Sequence, residues 1–181
     1  MRVVGGKYRS RLLEWPDDVT HIRPTKDRIR EAMFNAIGDL TGLVSLDLYA
    51  GSGAMGIEAL SRNSKKAYFV DINPVALKTT KKNIANLKIP QEEFEVLSVP
   101  DVQAIENLSS RNIKLDVVFI DPPYKEGKYQ EITDLLIQKE LLNENAIIVI
   151  EADRQIIVDE KCFGRRRDYK YGEINVAILW R

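Results

Sequence analysis

Apolar residues along the chain alternate between two periods, and the places where the period changes mark out the elements. Val44-Ser45-Leu46-Asp47-Leu48-Tyr49 reads as a buried strand, and residues 53–62 repeat at helical spacing. Ala67 to Asp71, Phe94 to Ser98, Leu115 to Ile120 and Ala146 to Glu151 are further short apolar runs of strand length. Helical stretches separate them. One opens on Asn73-Pro74, a capping residue followed by proline at the first helical position, with Leu77, Thr80, Ile84 and Leu87 on one face. Two more fall near 101–108 and 128–142. Before the first buried strand, Ile29, Met33, Ile37 and Leu40 predict a helix from Thr25 to about Leu40, with Thr25 as its cap and Asp27 at its positive end. The opening segment, Met1 to Leu13, predicts two short strands around the Gly5-Gly6 turn signal. Residues 163–169 and Ile174 to Trp180 predict a terminal antiparallel hairpin.

Strand–helix alternation of this kind implies an α/β fold with a mainly parallel sheet covered on both faces. In such sheets ligands bind at the carboxyl ends of the strands, beside the point where the strand order reverses. No repeat, low-complexity tract or linker divides the chain. The expectation is one domain over residues 1–181, in which 1–24 form a basic hairpin appendage and 25–181 the catalytic core.

Composition changes this picture little. There is no bilayer-spanning run and no basic-then-apolar leader, so a cytoplasmic location is expected. One cysteine, Cys162, excludes an internal disulfide and reads as a small buried hydrophobe. With a single histidine, His21, there is no zinc-type ligand set, and no metal is expected. Trp15 and Trp180 read as packing residues. Net charge is zero, but it is unevenly spread. Residues 1–30 hold eight Lys or Arg against four acids, whereas residues 91–110 hold five acids and no base. A basic end on a neutral body suits moderate, salt-sensitive contact with phosphates. By itself a cluster of this size is better read as a solvated surface.

Four carboxylates carry the chemistry. In Asp47-Leu48-Tyr49-Ala50-Gly51-Ser52-Gly53-Ala54-Met55-Gly56, the glycines let strand turn into helix and leave backbone open to a ligand. Glycines in that pattern serve dinucleotides equally well. The acid ahead of them separates the cases, because Asp47 would repel a pyrophosphate and attract the ammonium of a methionine moiety. Asp71 ends the next strand and can accept the ribose hydroxyls of an adenosine. Asp101 follows the third strand, where it can accept from an adenine amine with Val102 against the ring, or simply cap its helix. The run Val117-Val118-Phe119-Ile120-Asp121-Pro122-Pro123-Tyr124 then delivers an acid, two prolines and an aromatic to the same edge. An exocyclic base amine is a poor nucleophile, its lone pair being delocalised into the ring. Asp121 and the Pro122 carbonyl can accept both amine hydrogens and favour a pyramidal nitrogen. The prolines fix the backbone, and Tyr124 offers a face for stacking. The reaction so read is methyl transfer from S-adenosylmethionine to a base amine, catalysed mostly by positioning.

The glycine-rich and Asp-Pro-Pro-Tyr motifs resemble those of class I S-adenosylmethionine-dependent methyltransferases acting on amino groups. Val4-Gly5-Gly6-Lys7-Tyr8-Arg9-Ser10-Arg11, Arg23-Pro24-Thr25-Lys26-Asp27-Arg28-Ile29-Arg30-Glu31 and Tyr171-Gly172-Glu173 narrow the resemblance, over essentially the whole chain, to the RsmD family. These are bacterial methyltransferases of a guanine N2 in 16S ribosomal RNA. The resemblance implies a Rossmann-like, seven-stranded sheet with an antiparallel last strand. Its substrate would be a partly assembled small ribosomal subunit, met by a monomeric enzyme. It implies a cofactor set of Asp47, Tyr49, Ala50, Gly51, Ser52, Gly53, Asp71, Ile72, Asp101 and Val102, and a catalytic strip Asp121, Pro122, Pro123 and Tyr124. Where the family more often has Asp-Ala, this chain has Asp101-Val102. Within that frame Lys7, Arg9 and Arg11 alternate, and on a strand they share a face that can follow a phosphate backbone. Arg23 and Thr25 would stand where base and cofactor meet. Arg165, Arg166 and Arg167 would divide between two faces of a strand.

Two other readings compete. The Asp-Pro-Pro-Tyr chemistry serves adenine N6 as well, although 181 residues leave no room for the recognition insert usual in DNA enzymes. A non-catalytic RNA-binding assembly factor would have no use for both motifs. An NAD oxidoreductase lacks an evident hydride-transfer partner.

Overall fold

The computed structural model describes residues 1–16, 27–122 and 127–181. Seven strands form one sheet: β1 (Val44–Asp47), β2 (Lys66–Val70), β3 (Phe94–Leu97), β4 (Leu115–Ile120), β5 (Leu142–Ala152), β6 (Arg165–Tyr171) and β7 (Ile174–Trp180). Their spatial order is β3-β2-β1-β4-β5-β7-β6. The first five run parallel, and β7 is antiparallel to both β5 and β6. This is the mainly parallel sheet with an antiparallel last strand that the sequence led us to expect. The chain leaves β1 toward β2 and β3 on one side and returns to β4 and β5 on the other. The order therefore reverses between β1 and β4, which opens a crevice beyond their carboxyl ends.

Among the described residues, five helices cover the sheet: α1 (Asp27–Ile37), α2 (Ala54–Ser61), α3 (Pro74–Asn86), α4 (Asp101–Ser110) and α5 (Tyr129–Gln138). Alternation along the strands assigns them to faces. Leu46, Val118, Ile120, Ile148 and Ile150 pack on Ile105 and Leu108 of α4 and on Ile132 and Leu136 of α5. The intervening Val117, Phe119, Ile147 and Val149 meet Ile29, Met33, Phe34 and Ile37 of α1. Ala67 and Phe69 meet Ile57 and Leu60 of α2 and Ile84 of α3 on that same side. α3 is capped as its sequence predicts, the Asn73 side chain accepting the Val75 and Ala76 N–H groups. α1 stops at Ile37 rather than near Leu40, because Gly38 takes φ +96°, a left-handed conformation that ends a helix. Leu40 is buried all the same, from the connection that follows. No helix among the described residues is long and apolar enough to cross a membrane.

The two N-terminal strands expected do not form, and only a remnant of their hairpin is present. A single antiparallel bridge joins Arg2 to Leu12, and Gly6–Tyr8 form a turn of 3-10 helix between them. The ends do pair, the Val3 N–H donating to the Arg11 carbonyl at 2.9 Å and the Leu13 N–H to that of Met1 at 3.0 Å, but the residues between them bond to α2. Glu58 accepts the Val4 N–H at 2.8 Å and the Ser61 hydroxyl accepts the Tyr8 N–H at 2.9 Å. Gly6, at φ +70°, lies so close to the Ser61 carbonyl that a Cβ there would stand 1.8 Å from its oxygen. Lys7 belongs to the turn, so Lys7, Arg9 and Arg11 do not share a strand face. Cys162 is exposed, against expectation, because it sits in the turn before β6 and outside the sheet.

Candidate active site

β1 ends on Asp47, and the chain then keeps to the sheet for three more residues. Leu48 donates to the Phe119 carbonyl and Ala50 to that of Val70. It turns sharply at Gly53, whose N–H reaches back to the Ala50 carbonyl at 2.6 Å. The two glycines of this loop answer different needs. Gly53 has φ +80°, and a Cβ on it would lie 2.8 Å from the Thr80 methyl. Gly51 has φ +55°, and a Cβ on it would meet nothing within 4 Å. Open space beside bare backbone at the mouth of the crevice is where a ligand can approach closely.

Side chains brace this loop from outside. Thr80 donates to the Gly51 carbonyl at 2.8 Å and Asn83 to that of Ser52 at 2.9 Å. Asp71 accepts the N–H groups of Gly51 and Asn73, each at 2.8 Å, one on each oxygen. Every carboxylate oxygen has two lone pairs, so Asp71 is fixed in place and still able to accept from a ligand. Ile72 beside it is an exposed apolar side chain, 69% accessible. Asp101 opens α4 without capping it, the cap position being Pro100. Its Oδ2 accepts the Tyr49 hydroxyl at 2.7 Å and its Oδ1 the Val102 N–H at 2.7 Å. The two expected cofactor elements, the β1 loop and the start of α4, are thus joined through Tyr49.

Asp47, Asp121 and Glu151 stand on one face of the sheet, at the ends of β1, β4 and β5, and line a narrow cleft with Tyr49, Ser52, Phe119 and Met33 of α1. Their placement follows from strand alternation: Asp121 is two residues beyond Phe119, and Glu151 two beyond Val149, both of which face α1. Asp47 is buried, one oxygen accepting the Gly56 N–H at 2.9 Å. Removal from water pushes its pKa up to about 7; the Gly56 hydrogen bond opposes that rise and the charge of Asp71 adds to it. Asp121 is half-buried and Pro122 buried. Burial first, then the charges of Glu151 and Asp47, hold the Asp121 carboxyl well above the usual carboxylate range. Three acids gathered in one cleft form a site for cationic or hydrogen-bond-donating ligands. Among the described residues, no group of His, Cys, Asp or Glu is disposed to hold a metal ion.

Pro123, Tyr124, Arg23, Thr25 and His21 lie outside the described residues. The other basic candidates are not brought to the cleft. Lys7 pairs with Glu93 at 3.0 Å and Arg11 reaches the Asn86 carbonyl at 3.5 Å. Glu93 precedes β3 and Asn86 ends α3, so both mark the end of the sheet remote from the strands' carboxyl termini. Arg9 is exposed. Of the three arginines on β6, Arg165 stacks over the Trp180 ring at 4.6 Å, Arg166 is bound by Glu160 and Asp168, and Arg167 is exposed.

The structure adds residues the sequence did not single out. Trp15, read as packing alone, helps to line the cleft. Glu151 ends the apolar run Ile147-Ile148-Val149-Ile150 just as Asp121 ends Val117-Val118-Phe119-Ile120, and that parallel was a usable signal. Arg30, wholly buried on α1, also borders the cleft. It donates to the Arg2 carbonyl and to Asp27 (3.0 Å), and its Nε lies 3.8 Å from the equally buried Glu58. Glu58 in turn pairs with Arg62 at 2.9 Å. Through this network the segment before residue 16 is anchored to α1 and α2.

Comparison with known proteins places this geometry. The model of the family described as "Conserved hypothetical protein 95" matches residues 1–180. "Putative rRNA methyltransferase YlbH" of Bacillus subtilis is 36% identical over 181 residues, which cover 98% of this chain and 97% of the relative. "Ribosomal RNA small subunit methyltransferase D" of Escherichia coli is 34% identical over 154 residues, 84% of this chain and 75% of the relative. Among solved structures, "Putative methyltransferase yhhF" from Escherichia coli superposes with a TM-score of 0.86 at 29% identity, covering 100% of this chain and 97% of its own.

Proposed function

From the chain's membership of the conserved hypothetical 95 family, the RsmD family, we propose that it transfers a methyl group from S-adenosylmethionine to the exocyclic N2 of one guanine in 16S ribosomal RNA, within a partly assembled small subunit. The observation that carries this reading is the placement of Asp121 and Asp47 in one cleft, lined also by Ala50 and Ser52 of the glycine-rich loop. The name of the Escherichia coli relative states small-subunit rRNA methylation of that protein, and the name of the Bacillus subtilis relative "putative" rRNA methylation.

The residues present fit the cofactor. Asp47 would meet its ammonium, the Tyr49-Ala50-Gly51-Ser52-Gly53 loop its methionine portion, and Asp71 its ribose hydroxyls. Ile72 and Val102 would flank the adenine, with Asp101 accepting from the adenine amine. The charges agree, since an acidic cleft favours a ligand that carries an ammonium and a sulfonium. When bound, S-adenosylmethionine supplies a methyl group on positive sulfur, ready for in-line displacement. Asp121 and the Pro122 carbonyl then accept the two hydrogens of the target N2 and direct its lone pair, while Tyr124 stacks on the base and Pro123 stiffens the strip. As the nitrogen–carbon bond forms and the sulfur–carbon bond breaks, N2 must lose a proton. Asp121, its pKa raised by burial and by the charges of Glu151 and Asp47, is a stronger base for that proton than an exposed carboxylate. The target base reaches the cleft unstacked from its neighbours. Arg23 and Thr25 are assigned to contact with that base, and Lys7, Arg9 and Arg11 to more distant phosphates of a substrate far larger than the enzyme.

Labelled S-adenosylmethionine supplied with undermethylated small subunits, followed by nucleoside mapping, tests the reading. N2-methylguanine is expected. N6-methyladenine, or no transfer, overturns it.

A further inference from the structure

β6 ends the sheet on one side, and its side chains divide between the two faces by charge. On one face Arg166 is held by Glu160 and Asp168, so its charge is balanced within the protein. On the other stand Arg165, Arg167, Tyr169 and Tyr171, two cations and two aromatics with no acid among them. This is the α1 side, because Tyr169 and Tyr171 pack with Val176 and Ile178 against that helix. Their rings are stacked, 7° from parallel, with centroids 6.3 Å apart. Both tyrosines are half-buried, and Arg167 next to them is exposed. Among the described residues the ion pairs of β6 are those of Arg166, and Arg167 takes part in none.

Strand register ties this strip to the cleft. Ile120 lies opposite Ile150, so Asp121 and Glu151 are level; Glu151 lies opposite Val176, and Val176 opposite Tyr169. One row across the sheet thus runs from Asp121 to Tyr169, over three strand spacings, about 14 Å. Tyr171 stands further along β6, toward the edge at which the cleft opens. The first turns of α1 occupy the interval. Arg30 and Met33 line the cleft, and the exposed Arg28 lies near Tyr171. Burial raises the pKa of the Tyr171 hydroxyl, Tyr169 adds to the rise, and the charge of Arg28 opposes it.

Drawing one base out of its stack bares the faces of the bases beside it. Aromatic rings at a sheet edge offer such a base a new surface, whatever its identity. Cations along the same line meet the phosphates that follow. Rings suit flat bases and unopposed cations suit a polyanion, so the strip fits a single strand of RNA better than a protein face. On the reading that the chain methylates a base amine of ribosomal RNA, we propose that Arg28, Arg167, Tyr169 and Tyr171 form the track that binds the strand flanking the target base. The tyrosines stack on a base of that strand, and the two arginines hold its phosphates. None of the four touches the reacting atoms, so the track governs binding of the substrate and not the transfer step.

The test measures binding and methyl transfer with undermethylated small subunits over a range of salt concentrations. Tyr169→Leu with Tyr171→Leu keeps apolar bulk but removes the rings. It is expected to raise the KM for the subunit about tenfold or more, with kcat and S-adenosylmethionine affinity within about twofold of wild type. Tyr169→Phe with Tyr171→Phe keeps the rings and is expected to leave that KM within about twofold. Arg28→Gln and Arg167→Gln, both at exposed positions, should each weaken binding and reduce the slope of log affinity against log salt by about 0.7. These two variants carry the test if the leucine pair does not fold. A benzophenone on Arg167→Cys, in a Cys162→Ser background, is expected to mark rRNA within a few nucleotides of the methylated base. An unchanged KM in the folded leucine pair overturns the proposal, and so do unchanged salt slopes or adducts on a ribosomal protein in place of rRNA. Failure of the wild type to methylate the subunit overturns instead the functional reading on which the proposal rests.

Discussion

Asp47 is expected to be held at a cost to the fold, and replacing it exposes that cost. The carboxyl ionises near pH 7 in the folded protein against 3.8 when unperturbed, a rise of about three units. At 1.36 kcal/mol per unit this corresponds to roughly 4 kcal/mol. The sign follows from the direction of the shift. Below pH 3.8 the group is protonated in both states and costs nothing. As pH rises toward 7 the unfolded chain releases its proton while the folded one retains it, and stability falls. Above pH 7 the full penalty applies. Asp47→Asn keeps an oxygen to accept the Gly56 N–H and removes the titration. Its advantage over wild type in thermal unfolding should be small near pH 4, grow through pH 6 and level off above 7. With a Tm response of about 2–4 °C per kcal/mol at this chain length, the plateau corresponds to about 10 °C. Calorimetric titration of S-adenosylmethionine into the same variant should show affinity lost by at least tenfold, since the neutral amide no longer meets the ammonium. A stability difference that does not vary with pH would refute the electrostatic account, and unchanged cofactor affinity would refute the assigned role.

Asp121→Ala should lower methyl transfer by at least a hundredfold while S-adenosylmethionine binding, measured by calorimetry, stays within a few-fold. Gly56→Ala places a Cβ 2.3 Å from the Phe69 ring; denaturant unfolding should show a loss of about 1–3 kcal/mol. Glu58→Leu removes the acceptor of the Val4 N–H and the buried carboxylate beside Arg30 and Arg62, leaving Asp27 as a counter-charge of Arg30, so a loss of about 1–3 kcal/mol is expected, together with faster proteolysis before residue 16. Changing Lys7, Arg9 and Arg11 together to alanine should weaken apparent affinity for the subunit and flatten its salt dependence, with cofactor binding unaltered; Arg9 should carry most of the effect, because Lys7 is already paired with Glu93.

The parts of the molecule that could be read from sequence are those fixed by local periodicity. Leu115–Ile120 and Ile174–Trp180 were located to the residue because each is a run of strand formers between breakers. The Asp47-to-Gly53 loop was legible because its backbone demands glycine. What escaped depended on contacts distant in sequence. Gly5-Gly6 carries a hairpin signal, but the partner that bends the segment is Ser61, and no pattern in residues 1–13 announces it. Arg30 falls on the same helical face as Phe34 and Ile37, a position that makes sense only once Glu58 is known to lie opposite. Glu151 looked like the polar end of a strand until the register set it beside Asp121.

The place of β7 bears on how the chain is made. Residues 174–180 are synthesised after β5 and β6 yet lie between them, and among the described residues β6 pairs with no other strand. Until they emerge, β5 presents an unpaired apolar edge from Ile147 to Ile150, immediately ahead of Glu151. An edge of that kind invites pairing with other chains. A ribosome that stalls before residue 174 would thus release a polypeptide carrying every residue of the proposed chemistry on an open, adhesive sheet. Activity and solubility are therefore expected to arrive together, with the last strand.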